Sequence, residues 1–362
     1  MIKKYFKELI SISFVIIMAA WMPVTAFAPA IKLETTAFAA KSETQNISIL
    51  KELAKEHISV TVTGSETNYS NIENFYSAAR QKLPNISDLD LAKTVLEYTR
   101  QDYSNLSDET ILETLDFLEI TSTNQFFRAK TDGSVEEVSL KEVQTALDNP
   151  ITPLADWLSN DGYMQITTNA YKESKTDYGT PFILTATAAW LKYPAFRFTD
   201  TLAIVYDGVF DDSYTVYSTF NETGKCSKCK KIFSWNETES YGSTSSNNEP
   251  HFIRKSNRIE LDFSQSQAIG TKLDLKIISC LHPANGTAVN FANTTGISAY
   301  IRFRILCNST TEAGAAYAHA KLAGEISISG TVGSNGVSPS FNSTISKSMT
   351  RYSAAPVTLR CK

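Results

Sequence analysis

The sequence predicts an α+β protein, with a small helical N-terminal domain followed by a β-sandwich-like domain of antiparallel strands. Apolar residues recur at helical spacing between residues 45 and 148, and after Gly162 they alternate with polar residues, as in strands with one wet face. Pro150 and Pro153 separate the two patterns, because each removes an amide donor and pushes the preceding residue out of the helical region. The predicted segments are a signal peptide at 1–39, a helical domain at 40–149, a linker at 150–162 and an antiparallel β domain at 163–362.

The first segment has the layout of an export signal. Lys3, Lys4 and Lys7 precede an uncharged apolar run, which leads into two Ala-Phe-Ala sequences. Pro29 disfavours cleavage after the first of them, so we expect cleavage after Ala39. The alternative is an uncleaved anchor, since about 20 uncharged residues can cross a bilayer. Both interpretations place the rest of the chain outside the cell, and they predict a secreted protein or one on the extracellular face of the envelope.

Apolar stripes predict short helices in the second segment, each with one buried face. Cap signals agree with this interpretation. Ser87 stands three residues before Asp90, Asp108 opens an acidic first turn, and Ser139 stands three residues before Glu142. The stripes are Leu50, Leu53, Ala54 and His57; Ile72, Phe75, Tyr76 and Ala79; Leu89, Ala92, Val95 and Leu96; and Ile111, Leu115 and Leu118.

Alternation of apolar and polar residues predicts many strands in the last segment. Strands without helical patterns between them favour an antiparallel sandwich or an open barrel. The polar stretch 236–257 has no apolar spacing and is predicted to be a long exposed loop. The aromatic segment from Trp190 to Phe198 is interpreted as core rather than as a platform for sugars. The candidate strands are 163–170, 182–191, 202–207, 214–220, 259–263, 273–277, 301–305, 322–332 and 341–350.

Cys226 and Cys229 form the sharpest local motif, because two thiols three residues apart can bond to each other or hold one metal ion. Export favours a disulfide over zinc, and free thiols remain a third option. A zinc site would need two further ligands. The candidates for those ligands are Cys280, His282 and His251, and the other candidate disulfide partners are Cys280, Cys307 and Cys361.

Asp207, Asp211 and Asp212 could supply oxygen ligands to calcium. Their spacing matches no regular calcium loop, so a plain acidic turn is the favoured interpretation. No cofactor is predicted, and zinc and calcium stay as the two alternatives.

The common catalytic motifs are missing from the sequence. It contains no Gly-x-Ser-x-Gly elbow, no His-Glu-x-x-His pair and no glycine loop for phosphate. A glycosidase with two carboxylates is not excluded in this way, and Asp207 or Asp211 could belong to such a pair. His57 is expected to pack on its helix, and His319 could face either side of its strand. The sequence favours a non-enzymatic protein and names no catalytic residue.

The segment from Leu322 to Thr350 predicts an amphipathic hairpin. Leu322, Ile326, Ile328 and Val332 share one face of the first strand, and serines and threonines alternate with them. Such a hairpin could insert into a membrane. A structural hairpin is favoured, because Lys347 would share the apolar face of a second strand spanning 341–350, and a lysine at the bilayer midplane costs about 2 to 4 kcal/mol.

The lysine-led signal and several short segments resemble uncharacterised secreted proteins of Gram-positive bacteria. The segments are Thr99-Arg100-Gln101-Asp102-Tyr103, Asp161-Gly162-Tyr163-Met164 and Ala189-Trp190-Leu191-Lys192-Tyr193-Pro194. The resemblance implies an extracellular location and carries over no functional residue.

The sequence therefore predicts an exported bacterial surface or secreted protein with a non-enzymatic binding or structural role. The expected partners are a cell-envelope component, a glycan or an extracellular protein. With 34 basic and 38 acidic side chains and no basic stripe, nucleic acid is not an expected partner. Membrane contact is expected only through an uncleaved signal segment. The alternatives are a secreted hydrolase acting on polysaccharide or cell wall and a membrane-active β-hairpin protein.

Overall fold

The computed structural model divides the chain into two units, Met1–Ile49 and Leu50–Lys362. The elements described below belong to the second unit, apart from residues 45–49. The described residues are 45–103, 106–130, 134–148, 162–192, 199–226, 230–240, 243–247, 252–254, 259–265, 267–275, 278–281, 288–320, 326–333, 336–343 and 349–361.

The helices of the described chain all precede residue 149. The apolar stripes predicted for them are largely buried, as Ile72, Phe75 and Ala79 show with no exposed surface. The helices are α1 (45–57), α2 (Ile72–Lys82), α3 (Asp88–Tyr98), α4 (Asp108–Leu112), which runs into a 3-10 turn (Glu113–Asp116), and α5 (Leu140–Asp148). None of these described helices has the length and apolar character to cross a membrane.

Serine side chains cap three helix starts. The Oγ atoms of Ser87, Ser107 and Ser139 accept hydrogen bonds from the backbone amides three residues later, at 3.1, 3.2 and 3.2 Å. These bonds satisfy amides that the helix itself leaves unpaired. The predicted helix starts at Ser87, Asp108 and Ser139 are thereby confirmed.

Strands make up most of the rest of the chain, and every described pairing of named strands is antiparallel. They are β1 (Ser59–Thr63), β2 (Glu66–Ser70), β3 (Glu119–Ala129), β4 (Val135–Val138), β5 (Gly162–Lys172), β6 (Thr180–Lys192), β7 (Thr199–Tyr206), β8 (Val209–Phe210), β9 (Tyr217–Cys226), β10 (Ile232–Ser240), β11 (Ser243–Asn247), β12 (Phe252–Arg254), β13 (Ile259–Gln265), β14 (Ala268–Asp274), β15 (Ile278–Leu281), β16 (Ala288–Cys307), β17 (Thr311–Ala320), β18 (Ile326–Gly333), β19 (Gly336–Ser343), β20 (Met349–Ser353) and β21 (Val357–Leu359).

The strands form three sheets. A 13-stranded sheet follows the order β1-β2-β3-β5-β6-β16-β9-β10-β11, with β4, β8, β12 and β15 beside that path. A six-stranded sheet follows the order β13-β14-β7-β17-β20, with β21 also paired to β17. The third sheet is the hairpin β18–β19. The α+β class and its antiparallel sheets agree with the sequence.

The main core lies between the two larger sheets. It unites Ile166 and Leu184 of the 13-stranded sheet with Leu202, Ile204 and Tyr317 of the six-stranded sheet. This face-to-face packing is that of a sandwich. Trp190 is 4% exposed and belongs to the same core, in agreement with the interpretation of the aromatic segment as core. Residues 193–198 of that segment lie outside the described residues.

Helical residues cover part of the opposite face of the 13-stranded sheet. The ring centroid of Phe117 lies 4.8 Å from that of Tyr171 on β5, and Glu113 forms an ion pair with Arg302 on β16. Arg302 is 3% exposed, and the Tyr214 hydroxyl lies 2.8 Å from its Nε. Aromatic packing and a partly buried ion pair therefore hold this part of the helical layer to the sheet.

The predicted helical N-terminal domain is not confirmed, because the same segment also supplies β1 to β4. Strand β3 pairs with β5 along its whole length, from Glu119↔Lys172 to Ala129↔Gly162. The sequence of β3 is rich in Thr, Ile and Phe, which favour extended backbone. The linker predicted at 150–162 lies outside the described residues except for Gly162, where β5 begins.

The long loop predicted at 236–257 is wrong for its described part. Strand β10 pairs with β9 from Ile232↔Lys225 to Ser240↔Tyr217, and β11 and β12 follow it. Backbone pairing holds these strands, whose sequences are mostly polar and carry no apolar alternation. A polar strand of this kind has no hydrophobic signal by which it can be recognised.

Candidate functional site

Strand β17 has two contrasting faces. Ala313, Ala315 and Tyr317 point into the main core, whereas Ala316 and Ala318 belong to a second cluster on the other side of the six-stranded sheet. We call this second side the alanine face. Its buried members are Ala203, Val205, Ala268, Ala316, Ala318 and Ala320.

The hairpin β18–β19 lies over the alanine face. It contacts β7, β13, β14 and β17. Val337 packs against the cluster, and its Cγ2 lies 3.4 Å from the position that a Cβ atom on Gly314 would occupy. The face of the hairpin that carries Val337 is therefore turned toward the sheet.

The backbone register separates the hairpin sequence into an apolar and a polar face. The pairs Ile328↔Phe341 and Val332↔Val337 share one face, whereas Ser329↔Ser340 and Thr331↔Ser338 share the other. No residue from Ile326 to Ser346 is charged. The hairpin is thus an uncharged amphipathic ribbon, as predicted from the sequence, although its second strand is Gly336–Ser343 rather than 341–350.

The register of the hairpin continues that of the two strands from which it departs. Strands β17 and β20 are neighbours, and their last pair before the hairpin is Ala320↔Met349. The hairpin begins at Ile326↔Ser343. Ile326 lies six residues after Ala320, and Ser343 lies six residues before Met349, so equal numbers of residues separate the two ladders on both sides. The two ladders, β17 with β20 and β18 with β19, therefore share one antiparallel register.

On the opposite side of the six-stranded sheet from the alanine face, a buried polar cluster holds the face of β17 that points into the main core. Asp200 has no exposed surface; it accepts a hydrogen bond of 2.5 Å from the Tyr317 hydroxyl and one of 3.2 Å from the Ala320 amide. His319 Nδ1 lies 2.9 Å from both carboxylate oxygens. Trp190 Nε1 donates to the Tyr317 hydroxyl at 3.2 Å.

This cluster answers the question of where His319 points. It faces inward and is 3% exposed. Asp200 and His319 are 119 residues apart in the chain, and nothing local in the sequence signals their meeting. The alternation of alanines around His319 is the only clue, because it indicates a strand buried on both faces. His57 is half-buried at the end of α1.

The structure describes one half of the Cys226–Cys229 motif. Cys226 is buried, and its carbonyl accepts a 3.0 Å hydrogen bond from the Lys230 amide. Cys229 lies outside the described residues. A local disulfide, favoured over zinc for this pair, stays a prediction.

Cys307 and Cys361 are neighbouring thiols, and both are free. Burial, with a further contribution from Cys361, raises the pKa of the Cys307 thiol to about 12. A thiol with so high a pKa is a poor nucleophile at neutral pH.

The candidate calcium ligands do not converge. Asp207 accepts a hydrogen bond of 2.6 Å from Thr311, while Asp211 accepts one of 2.7 Å from Arg304. Among the residues that the structure describes, no group of three His, Cys, Asp or Glu side chains could hold a metal ion.

Asp211 instead lines an open cavity of about 510 Å³ together with Asp116, Glu173 and Arg304. Burial raises the pKa of Glu173 despite the opposing charge of Arg304. Burial also acts on Asp211, but hydrogen bonds from Ser213 and Arg304 outweigh it and lower the pKa of that carboxyl. Arg304 lies between the two, 3.6 Å from Glu173 and 2.7 Å from Asp211.

No family model and no curated protein matches the chain. A solved structure titled "Pore forming protein" aligns with 65% of this chain and 90% of its own, at 8% sequence identity and a TM-score of 0.21. Similarity at this level does not establish a common fold.

Proposed function

We propose that this chain is an exported, non-enzymatic protein that acts on membranes by releasing the hairpin β18–β19 from the alanine face. The observation that carries the proposal is the matching register of β17–β20 and β18–β19. If the segments 321–325 and 344–348 extend, the four strands become one long hairpin with no bulge, running from Ala316 to Gly333 and back from Gly336 to Ser353.

The long hairpin would keep one apolar and one polar face throughout. The alternation that joins Ile328 and Val332 extends back through Leu322 to Ala320 and Ala318. In the folded-back state Val337 of the hairpin packs against the alanine face. Release would expose Val337 and the alanine face together, and a bilayer is the environment that would cover apolar surface again.

The dimensions suit a bilayer. Strand β18 has eight residues, which rise about 27 Å at about 3.4 Å per residue. A spanning strand is tilted and needs about 9 to 11 residues, so the span would also include one to three residues before Ile326. Lys347 lies eleven residues after Gly336. At the same rise it would stand about 37 Å from the turn, at the far interface rather than at the midplane, where its amine can reach water. This position removes the objection that Lys347 raised against insertion.

The alanine face also favours release. Each covered alanine contributes only one methyl group, worth about 0.8 kcal/mol when buried, whereas a leucine contributes several times more. The hairpin is therefore held less firmly than a strand of the main core. A single inserted hairpin would leave two unpaired edges in lipid, so we expect several copies to join their hairpins into a closed ring.

Export is part of the proposal and is supported by the sequence at 1–39 alone. The proposed location is the extracellular side of the cell that makes the protein, or the surrounding medium. The membrane acted upon would be contacted through the hairpin.

A disulfide between positions 314 and 337 tests the proposal. In the double variant Gly314→Cys/Val337→Cys, the two side chains are close enough for a bond, which would lock the hairpin to the sheet. We expect the oxidised double variant to release no dye from liposomes, and we expect reduction to restore release to the level of the unmodified protein.

The single variants Gly314→Cys and Val337→Cys serve as matched controls and should release dye with or without reductant. Ile328→Gly, which weakens the apolar face, should reduce release. If the unmodified protein releases no dye over a broad range of protein concentrations and lipid compositions, or if the oxidised double variant still does, the hairpin is a structural element only.

A secreted hydrolase is the second candidate function, favoured by the cavity that Glu173 and Asp211 line. Opposite pKa shifts in two carboxyls are what a general acid and its partner require. Release of reducing sugar from polysaccharides and peptidoglycan tests it. A hydrolase would be supported if Glu173→Gln abolishes cleavage and Glu137→Gln, an exposed control, leaves it intact. Absence of cleavage across the panel would exclude a hydrolase.

A further inference from the structure

A groove of about 430 Å³ lies on the face of the 13-stranded sheet that points away from the main core. Helix α3 and the loop after it form one wall, through Leu96, Thr99 and Gln101. The sheet forms the floor. Its floor residues come from β2, β3, β5, β6, β9 and β16 and include Ser122, Asn124, Gln165, Thr167, Asn169 and Tyr171.

The floor is polar but uncharged. Hydroxyl and amide side chains dominate it, and the charged residues in the lining are Arg100 and Asp102 on the wall, which carry opposite charges. Such a surface suits neither a phosphate nor a polyanion, which would select several cations. It presents both donors and acceptors, because each amide and each hydroxyl offers both.

Hydrogen bonds between strands hold these side chains in place. Asn124 Oδ1 accepts from Gln165 Nε2 at 2.9 Å and from Thr167 Oγ1 at 3.3 Å. Ser122 donates to Asn169 Oδ1 at 2.7 Å. Side chains ordered in this way lose little further entropy when a ligand binds.

Aromatic residues complete the lining. Tyr171 is 7% exposed and donates its hydroxyl to Gln101 Oε1 at 3.1 Å, which joins the floor to the helical wall. Tyr69 and Tyr300 also line the groove. Tyrosine rings combine an apolar surface with a polar edge, a pairing that matches the C–H and O–H faces of a sugar ring.

We propose that this groove binds a neutral oligosaccharide of about two or three sugar units. The volume lies within the range of small-molecule sites, about 300 to 1,000 Å³. Sugar hydroxyls need the mixed donors and acceptors of the floor, and neutrality follows from the lack of net charge in the lining. The site is separate from the hairpin, so the proposal stands or falls independently of membrane activity.

Ligand-observed NMR with a panel of neutral di- and trisaccharides tests the proposal. The panel consists of glucose, galactose, mannose and N-acetylglucosamine oligomers, with sialylated and sulfated counterparts, and no lipid is present. We expect a neutral member to bind, and Asn124→Ala to weaken its binding about tenfold, because Asn124 organises Gln165 and Thr167.

Asn68→Ala is the matched control. Asn68 lies on β2, donates to Thr121 Oγ1 at 2.9 Å and does not line the groove, so its loss should change affinity less than about twofold. Gln165→Ala replaces Asn124→Ala if the latter does not fold. The proposal is overturned if no neutral saccharide binds at up to about 10 mM, if only charged ones bind, or if the groove variants bind as well as the unmodified protein.

Discussion

The two faces of the six-stranded sheet contact their neighbouring elements through different kinds of interaction. The inner face carries large side chains joined by directional bonds, with Tyr317, His319 and Asp200 in one network. The outer face carries alanines and a valine under a hairpin of serines, glycines and branched apolar residues. A network that needs exact partners resists separation, whereas a surface of methyl groups can exchange one apolar cover for another.

The contrast arises within single strands. Along β17, the odd-numbered positions from Ala313 to His319 face the main core, and the even-numbered positions from Ala316 to Ala320 face the hairpin. Neighbouring residues of the same type therefore stand in opposite environments. Substitutions at neighbouring positions can therefore compare the face in the main core with the face that we propose releases the hairpin.

Removal of the Asp200 carboxylate should have the largest effect. Asp200→Ala leaves the Tyr317 hydroxyl, His319 Nδ1 and the Ala320 amide without their acceptor in a site that water does not reach. We expect the free energy of unfolding to fall by about 3 to 5 kcal/mol, measured by urea denaturation. Asp207→Ala, which removes an acceptor of the Thr311 hydroxyl, should cost about 1 kcal/mol. Equal losses would contradict the special role of the inner network.

Overpacking at adjacent alanines should distinguish the faces directly. Ala315→Leu forces a larger side chain into the main core and should cost about 3 kcal/mol, since neither sheet can move away. Ala316→Leu pushes on the hairpin, which can leave, so its cost should be limited to about 1 kcal/mol.

Hydrogen exchange of the amides in β18 and β19 supplies the second readout for this pair. Ala316→Leu should accelerate their exchange and increase dye release from liposomes, while Ala315→Leu should not alter their exchange relative to that of β7. The comparison fails if both variants lose stability equally and leave hairpin exchange unchanged.

Two buried tyrosines on the inner side should respond differently to loss of their hydroxyls. The Tyr317 hydroxyl bonds Asp200 and Trp190, so Tyr317→Phe should lose about 2 kcal/mol. The Tyr352 hydroxyl is buried and has no hydrogen-bond partner among the described residues, so Tyr352→Phe should be neutral or stabilising by up to about 1 kcal/mol. Thermal unfolding of both variants checks this, and a marked loss in Tyr352→Phe would reveal a partner for its hydroxyl.

The features that could be predicted from the sequence are those that depend on local patterns. The apolar stripe of α2 and the serine caps depend on residues three or four apart, and both were predicted. The alternation of the hairpin was also predicted, because it too is local. Strand β3 was missed, since its threonines give no strong alternation, and β10 was missed because its sequence is polar.

Long-range pairing was out of reach. The boundaries of β19 depend on which residues face β18, so the second strand predicted at 341–350 lies instead at Gly336–Ser343. The meeting of Asp200 with His319 and the floor of the groove both require strand order, which periodicity does not reveal. The candidate site in the sequence was the Cys226–Cys229 pair, and the hairpin was predicted there as a structural element. The relation of the hairpin to the alanine face came only with the fold.

The smallest expected effect is a pH dependence of stability. It compares a charged contact with the uncharged hairpin. Glu66 on β2 accepts from the Thr358 amide at 2.7 Å and pairs with Arg360 at 2.5 Å, which ties β2 to the chain around β21. Burial of Glu66 favours its neutral form, but the hydrogen bonds from Arg360 and Thr358 outweigh burial and lower the pKa of its carboxyl below the ordinary 4.5.

A carboxyl whose pKa is lower in the folded than in the unfolded protein stabilises the fold above its unfolded pKa, and this contribution is lost as the pH falls through the folded pKa. Glu66→Gln should therefore cost about 1 kcal/mol at neutral pH, a modest value because Arg360 is 40% exposed and partly screened. The difference from the unmodified protein should shrink as the pH drops below 4.5. Glu137→Gln, at an exposed position on β4, should show no such trend. The alanine face and the two hairpin strands contain no ionisable side chain. Hydrogen exchange of the hairpin amides should therefore not follow the titration of Glu66. If it does, the Glu66 contact, and not the methyl surface alone, holds the hairpin in place.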